Sequence, residues 1–218
     1  MANFRLMKHL LIIMGACLIG IGAQAQDKKV DTLTYKLAPA FNFNVMDSVA
    51  NRRNQLNQTN LSVLLAWSAA NIVQGSISAG NLTGSKQHFH RMNAYFNTVN
   101  LAIAGYGLFR LNQTKKLHYT IADNVKAQQK ISSLLLLNSG LDIAYMTTGV
   151  YLQERGNNLN NDQTKGYGSS LILQGAFLLV FDLIQYAQHQ QNGKLLNQYL
   201  GNLQLTTTQN GVGLVVPL

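Results

Sequence analysis

The sequence predicts an all-α fold: an antiparallel four-helix bundle, its helices crossing a membrane. Three observations point there. Charged residues are 11% of the 218, against about 25% in an ordinary soluble domain, while hydrophobic residues reach 47%. The charges cluster in joints. None lies between Arg53 and Lys86 or between Arg91 and Arg110; only Asp142 lies between Lys130 and Glu154, and only Asp182 between Lys165 and Lys194. The prolines, Pro39 and Pro217, both fall outside the four helix-sized stretches, as long helices require.

Residues 1–25 read as a secretory signal peptide. Arg5 and Lys8 form a basic start, Leu10 to Ile21 an apolar run, and Ala23-Gln24-Ala25 a small-x-small cleavage site. Cleavage there starts the mature chain at Gln26 and removes Cys17, the only cysteine. A lipoprotein reading at Met14-Gly15-Ala16-Cys17 is weaker, because the residues after Cys17 stay apolar. Residues 26–44 are a polar lead-in with no sustained period.

From Val45 the chain reads as four helical blocks, broken near Ala79–Ser85, Gln113–Thr120 and Asn157–Gly168. The expected spans are Leu61–Ser78, Met92–Phe109, Ser133–Leu152 and Ser169–Gln188, each about the 17–25 residues that cross a bilayer. An exposed helix in water carries charge on its solvent face. Its absence from four stretches indicates a low-dielectric surround. Residues 201–218 read as an extended or hairpin tail, with Leu203/Leu205 and Val212/Leu214/Val216 alternating about the turn pair Asn210-Gly211.

Each block carries a narrow polar stripe: Ser68, Asn71 and Gly75; Asn93, Asn97 and Asn100; Asn138, Asp142 and Gly149; Gln174, Asp182 and Gln185, continued by His189. In lipid such stripes face inward and hydrogen-bond between helices. Asp142 and Asp182 are the ionisable groups deep in the spans. An intramembrane carboxyl is costly and marks a candidate site. Counting depth from the joint between the third and fourth helices puts the two at similar levels, about 4–5 Å apart along the axis. Asn71, Asn97, Asn100 and Asn138 are their expected neighbours. The alternative is a structural hydrogen-bond network that fixes helix packing.

The formal charge of +9 falls to +7 once Arg5 and Lys8 are cleaved off. An exported chain has little access to nucleic acid, and no Lys/Arg stripe with interleaved aromatics occurs, so the basic excess points to an anionic membrane surface. Orientation is contested. The side holding Arg52, Arg53, Arg110, Lys115, Lys116, Lys126, Lys130 and Lys194 is the richer in positive charge, which favours the cytoplasm, yet a cleaved signal peptide places it outside. Composition excludes disorder, collagen-like repeats, a disulfide framework and a cysteine zinc site. His88-Phe89-His90 at the start of the second helix reads as a membrane-border pair rather than a metal site, since helical geometry splays the two rings apart. Phosphate-loop, nucleophile-elbow and His-Glu-x-x-His patterns do not occur.

Phe89-His90-Arg91-Met92-Asn93, continuing through Phe96-Asn97 to Val99-Asn100, and Leu173-Gln174-Gly175-Ala176-Phe177-Leu178-Leu179-Val180-Phe181-Asp182 resemble a family of small, uncharacterised helical membrane proteins from Bacteroidetes. The resemblance covers roughly residues 45–195. It implies a membrane bundle and no assigned activity. The expectation is a non-enzymatic integral membrane protein of structural or accessory role in the cell envelope, with the lipid bilayer as partner and no cofactor or metal. The alternatives are a small proton, cation or solute transporter using Asp142 and Asp182, and a soluble periplasmic helical binding module.

Overall fold

The computed structural model describes residues 43–113, 118–201, 204–208 and 211–215. The expected signal peptide and nearly all of the lead-in lie outside these residues. Four helices follow in order: α1 Phe43–Asn81, α2 Gly84–Gln113, α3 Ile121–Asn158 and α4 Asp162–Gly201. Beyond α4, β1 Gln204–Thr208 pairs antiparallel with β2 Gly211–Val215, Thr208 standing opposite Gly211.

Local chemistry sets the helix ends. Gly84 opens α2 with φ +65°, a conformation that costs glycine little, and Gln87 Nε2 donates to the Ala79 carbonyl at 2.9 Å, tying the turn. Thr120 caps α3 in a reciprocal box with Asp123: its hydroxyl accepts from the Asp123 N–H while the Asp123 carboxylate accepts from the Thr120 N–H. Asn160 takes a left-handed φ of 49° between α3 and α4, and the Asn161 side chain accepts from the Thr164 N–H at 2.9 Å.

The fourth helix starts earlier than expected. The joint read at Asn157–Gly168 shrinks to three residues, and Gly166 and Gly168 are helical. Their role is close packing. A Cβ on Gly149 of α3 would sit 2.7 Å from the Gly168 carbonyl oxygen, so these two helices meet backbone to backbone. α3 packs most extensively on α4 and α1 on α2, and α2 against α4 joins the two hairpins. One core cluster comprises Met92, Phe96, Tyr167 and Leu171; a second, around Met46, Val49 and Leu196, closes the far end.

Large apolar side chains cover the outside. Val73, Ile77, Tyr106, Phe109, Ile143, Val150, Val180 and Ile184, drawn from all four helices, are each more than half exposed. By length and composition, α1 and α4 are apolar enough to cross a membrane, with best stretches of mean hydropathy 1.3 and 1.6. The sequence reading expected four such spans. α2 and α3 fall short because Asn93, Asn97 and Asn100 on one and Asn138 and Asp142 on the other lower an average that counts both faces of the helix.

Candidate functional site

Polar side chains fill the bundle axis in three layers. The first, toward the α1–α2 turn, is organised by Asn93. Its Nδ2 donates to Asn71 Oδ1 at 2.7 Å, and its Oδ1 accepts from Gln174 Nε2 and, at 3.4 Å, from the Ser170 hydroxyl. Trp67 Nε1 donates to Gln174 Oε1 at 3.3 Å, and the Trp67 ring stacks on Phe177 with centroids 3.7 Å apart. α1, α2 and α4 are thereby cross-linked. Asn97 is also fully buried, but its Nδ2 donates to the Asn93 carbonyl of its own helix at 2.9 Å. The bond between helices expected along this stripe is made by Asn93, not by Asn97.

The middle layer is a cavity of about 170 Å³, to which all four helices contribute. Asp142, Asp182, Asn138, Asn100, Asn60 and Gln185 line it, with leucines, Phe96, Tyr145 and Phe181 as the apolar wall. Asp182 is held by Gln185, whose Nε2 donates to Oδ1 at 3.1 Å, and by a side-chain hydrogen bond with Asn138. Asp142, only 3% exposed, keeps Oδ2 without a hydrogen-bond partner among the described residues; so do the Nδ2 groups of Asn60 and Asn100, at 7% and 6% exposure.

The third layer closes the opposite end. Arg53 is 5% exposed, donates to Asn124 Oδ1 at 2.6 Å, and lies over the Tyr119 ring. Asn124 Nδ2 donates to the Met46 carbonyl, Asn192 Nδ2 to the Val49 carbonyl, and Gln128 Nε2 to the His189 carbonyl. At the rim, Asp47 accepts from the Tyr119 N–H at 2.8 Å and pairs with His118 Nδ1 at 2.9 Å. Asp47 precedes the apolar stretch that begins at Leu61. The hydrogen bond from His118, followed by that from the Tyr119 backbone, holds its carboxyl below the ordinary carboxylate value.

Of the six residues singled out in the sequence, the structure brings Asp142, Asp182, Asn100 and Asn138 to one cavity. Asn71 and Asn97 belong to the neighbouring layer. Asn60 was missed because the span was started at Leu61; its place eleven residues before Asn71, three helical turns, was the available signal. Arg53, counted with the flanking charges, is instead a buried donor. His88 meets Tyr167 edge-on at 5.9 Å, and among the described residues no group of three or more His, Cys, Asp or Glu could hold a metal ion.

The model of a family of unknown function (DUF6992) matches residues 63–183. No curated protein and no solved structure matches the chain. The matched stretch runs from the middle of α1 into α4 and takes in the first polar layer and both aspartates. The chain belongs to this family.

Proposed function

We propose that this member of the family of unknown function is a non-enzymatic integral membrane protein of the cell envelope, with a structural or accessory role. The reading rests on inverted polarity. Asn93, Asn97, Asn100, Asn124, Asp142, Gln174 and Asp182 are buried, while Val73, Ile77, Phe109, Val150 and Val180 point outward. In water that arrangement leaves large apolar side chains exposed on every helix. In lipid the same arrangement is the expected one. The signal peptide read at 1–25 supplies the export route. Interlocked amides that join three helices suit a protein whose task is to hold a shape.

Carbonate extraction of membranes from cells expressing the full chain tests this. Retention in the pellet is the expected result. Release into the supernatant would return the chain to the soluble, exported binding module. A second reading, proton or cation passage through Asp142 and Asp182, draws support from the cavity they line. It requires flux in reconstituted vesicles that Asp142→Asn and Asp182→Asn abolish without unfolding the protein; wild-type vesicles with no flux above lipid alone would exclude it.

A further inference from the structure

We propose that the cavity between Asp142 and Asp182 binds a small organic cation of the amino-alcohol class. This deepens the second reading by naming the cation, and it rests on that reading only for the identity of the site: equilibrium binding does not require passage.

The unpartnered groups define the ligand. Asp142 Oδ2 lacks a donor, and Asn60 Nδ2 and Asn100 Nδ2 lack acceptors, among the described residues; all three side chains are more than nine-tenths buried and line the same space. Leaving such groups unsatisfied is expensive, so a ligand that completes them is bound in preference to one that does not. Two carboxyls line the cavity, and no Lys, Arg or His does. With no cation of the protein beside them, these carboxyls carry an uncompensated charge whenever they ionise, and an ammonium supplies the missing positive charge together with the donors that Asp142 then needs. The asparagine amides call for an acceptor on the same molecule. A carboxylate there would add a third acid beside Asp142 and Asp182, so a neutral hydroxyl fits better.

The walls argue against a bare metal ion. No group of three or more His, Cys, Asp or Glu that could hold a metal ion exists among the described residues. The cavity, about 170 Å³, is comparable to engineered cavities that admit a benzene-sized guest, hence a molecule of about six heavy atoms or fewer. Phe96, Tyr145 and Phe181 offer ring surface to a cation and, with the leucines, apolar contact to its methylene groups. An alkali ion has no methylene groups to place against the leucines.

Calorimetric titration of the purified full chain in detergent with ethanolamine, n-propylamine and sodium chloride, at constant ionic strength and pH, tests the assignment. The two amines have equal heavy-atom counts and differ in the hydroxyl. Saturable binding of ethanolamine, about three- to tenfold tighter than propylamine, is expected, since one neutral hydrogen bond separates them. Asp142→Asn should abolish binding of both amines. Asn100→Ala should narrow the gap between the two amines, with Asn60 alone still offering the hydroxyl a donor. If Asp142→Asn does not fold, as read by circular dichroism, the Asn100→Ala ratio decides alone. No saturable ethanolamine binding, an amine ratio that Asn100→Ala leaves unchanged, or displacement of ethanolamine by sodium at equal concentration would each overturn the proposal. Binding without flux would overturn only the passage reading.

Discussion

Asn93 and Asn97 lie one turn apart on the same face of α2, both buried, and the structure gives them different work. Truncating either to alanine removes the same atoms from the same core, so the packing loss is shared. The hydrogen bonds differ. Asn93→Ala breaks contacts to Asn71, Ser170 and Gln174 on two other helices, whereas Asn97→Ala breaks one bond to the backbone of its own helix. Side-chain hydrogen bonds between membrane helices average about 0.6 kcal/mol each, so three sum to roughly 2 kcal/mol. Gln174, fully buried, is then left with its amide nitrogen unpartnered, which keeps the estimate from falling lower. Asn97→Ala loses one bond of its own, so Asn93→Ala should be less stable than Asn97→Ala by about 1–2 kcal/mol. Equilibrium unfolding in dodecyl maltoside titrated with dodecyl sulfate, followed by far-UV circular dichroism, measures the difference. Equal stabilities, or Asn97→Ala the weaker of the two, would refute the assignment of Asn93 as the hub.

Other perturbations probe separate parts of the bundle. Gly149→Val should cost about 1–3 kcal/mol in the same assay, because its side chain would drive into the Gly168 carbonyl and Ile172; a neutral effect would show that α3 and α4 do not approach this closely. Thr120→Ala removes one half of the capping box and should cost about 1 kcal/mol, with Thr120→Ser retaining most of the stability. The His118 hydrogen bond and then the Tyr119 N–H hold the Asp47 carboxyl below the ordinary carboxylate range, so its contribution is complete above about pH 4 and disappears as pH falls through the folded value. Asp47→Asn should thus be the less stable protein at pH 7, and its gap to wild type should close below about pH 4; a gap that persists in acid would mean that the carboxylate charge is not what matters.

Much of the architecture was legible because charged residues are nearly absent from the middles of the helices. The long gaps around Leu61–Ser78 and Ser169–Gln188 located helices, and the polar joints located their turns to within a few residues. The joint at Asn157–Gly168 misled because Gly166 and Gly168 look like loop residues when read locally. A longer view had the signal. Gly149 and Gly156 on α3, and Gly168 and Gly175 on α4, repeat at seven residues, the spacing that returns to one helix face. Continuing each series by seven reaches Asp142 and Asp182, so the same repeat that brings the helices together carries both aspartates to the seam. Periodicity identified Asn93, Asn97 and Asn100 as one stripe but could not say which amide crosses to another helix, because side-chain torsions decide that. Arg53 was opaque for a related reason: its burial depends on Asn124 and Tyr119, far along the chain, meeting it across the bundle end.

The central claim is that the apolar exterior of the four helices faces lipid. Spin labels on single cysteines at Val73, Tyr106, Ile143 and Val180, in a Cys17→Ser background reconstituted in liposomes, test it most directly. Each position is more than half exposed on the outside of a different helix. Collision rates with oxygen, which concentrates in the bilayer, and with a water-soluble nickel chelate report the surroundings of each label. The account predicts high oxygen and low nickel accessibility at all four sites, on α2 and α3 as well as on the more apolar α1 and α4. Nickel accessibility matching that of a label in bulk water would contradict it and place the helices in solvent.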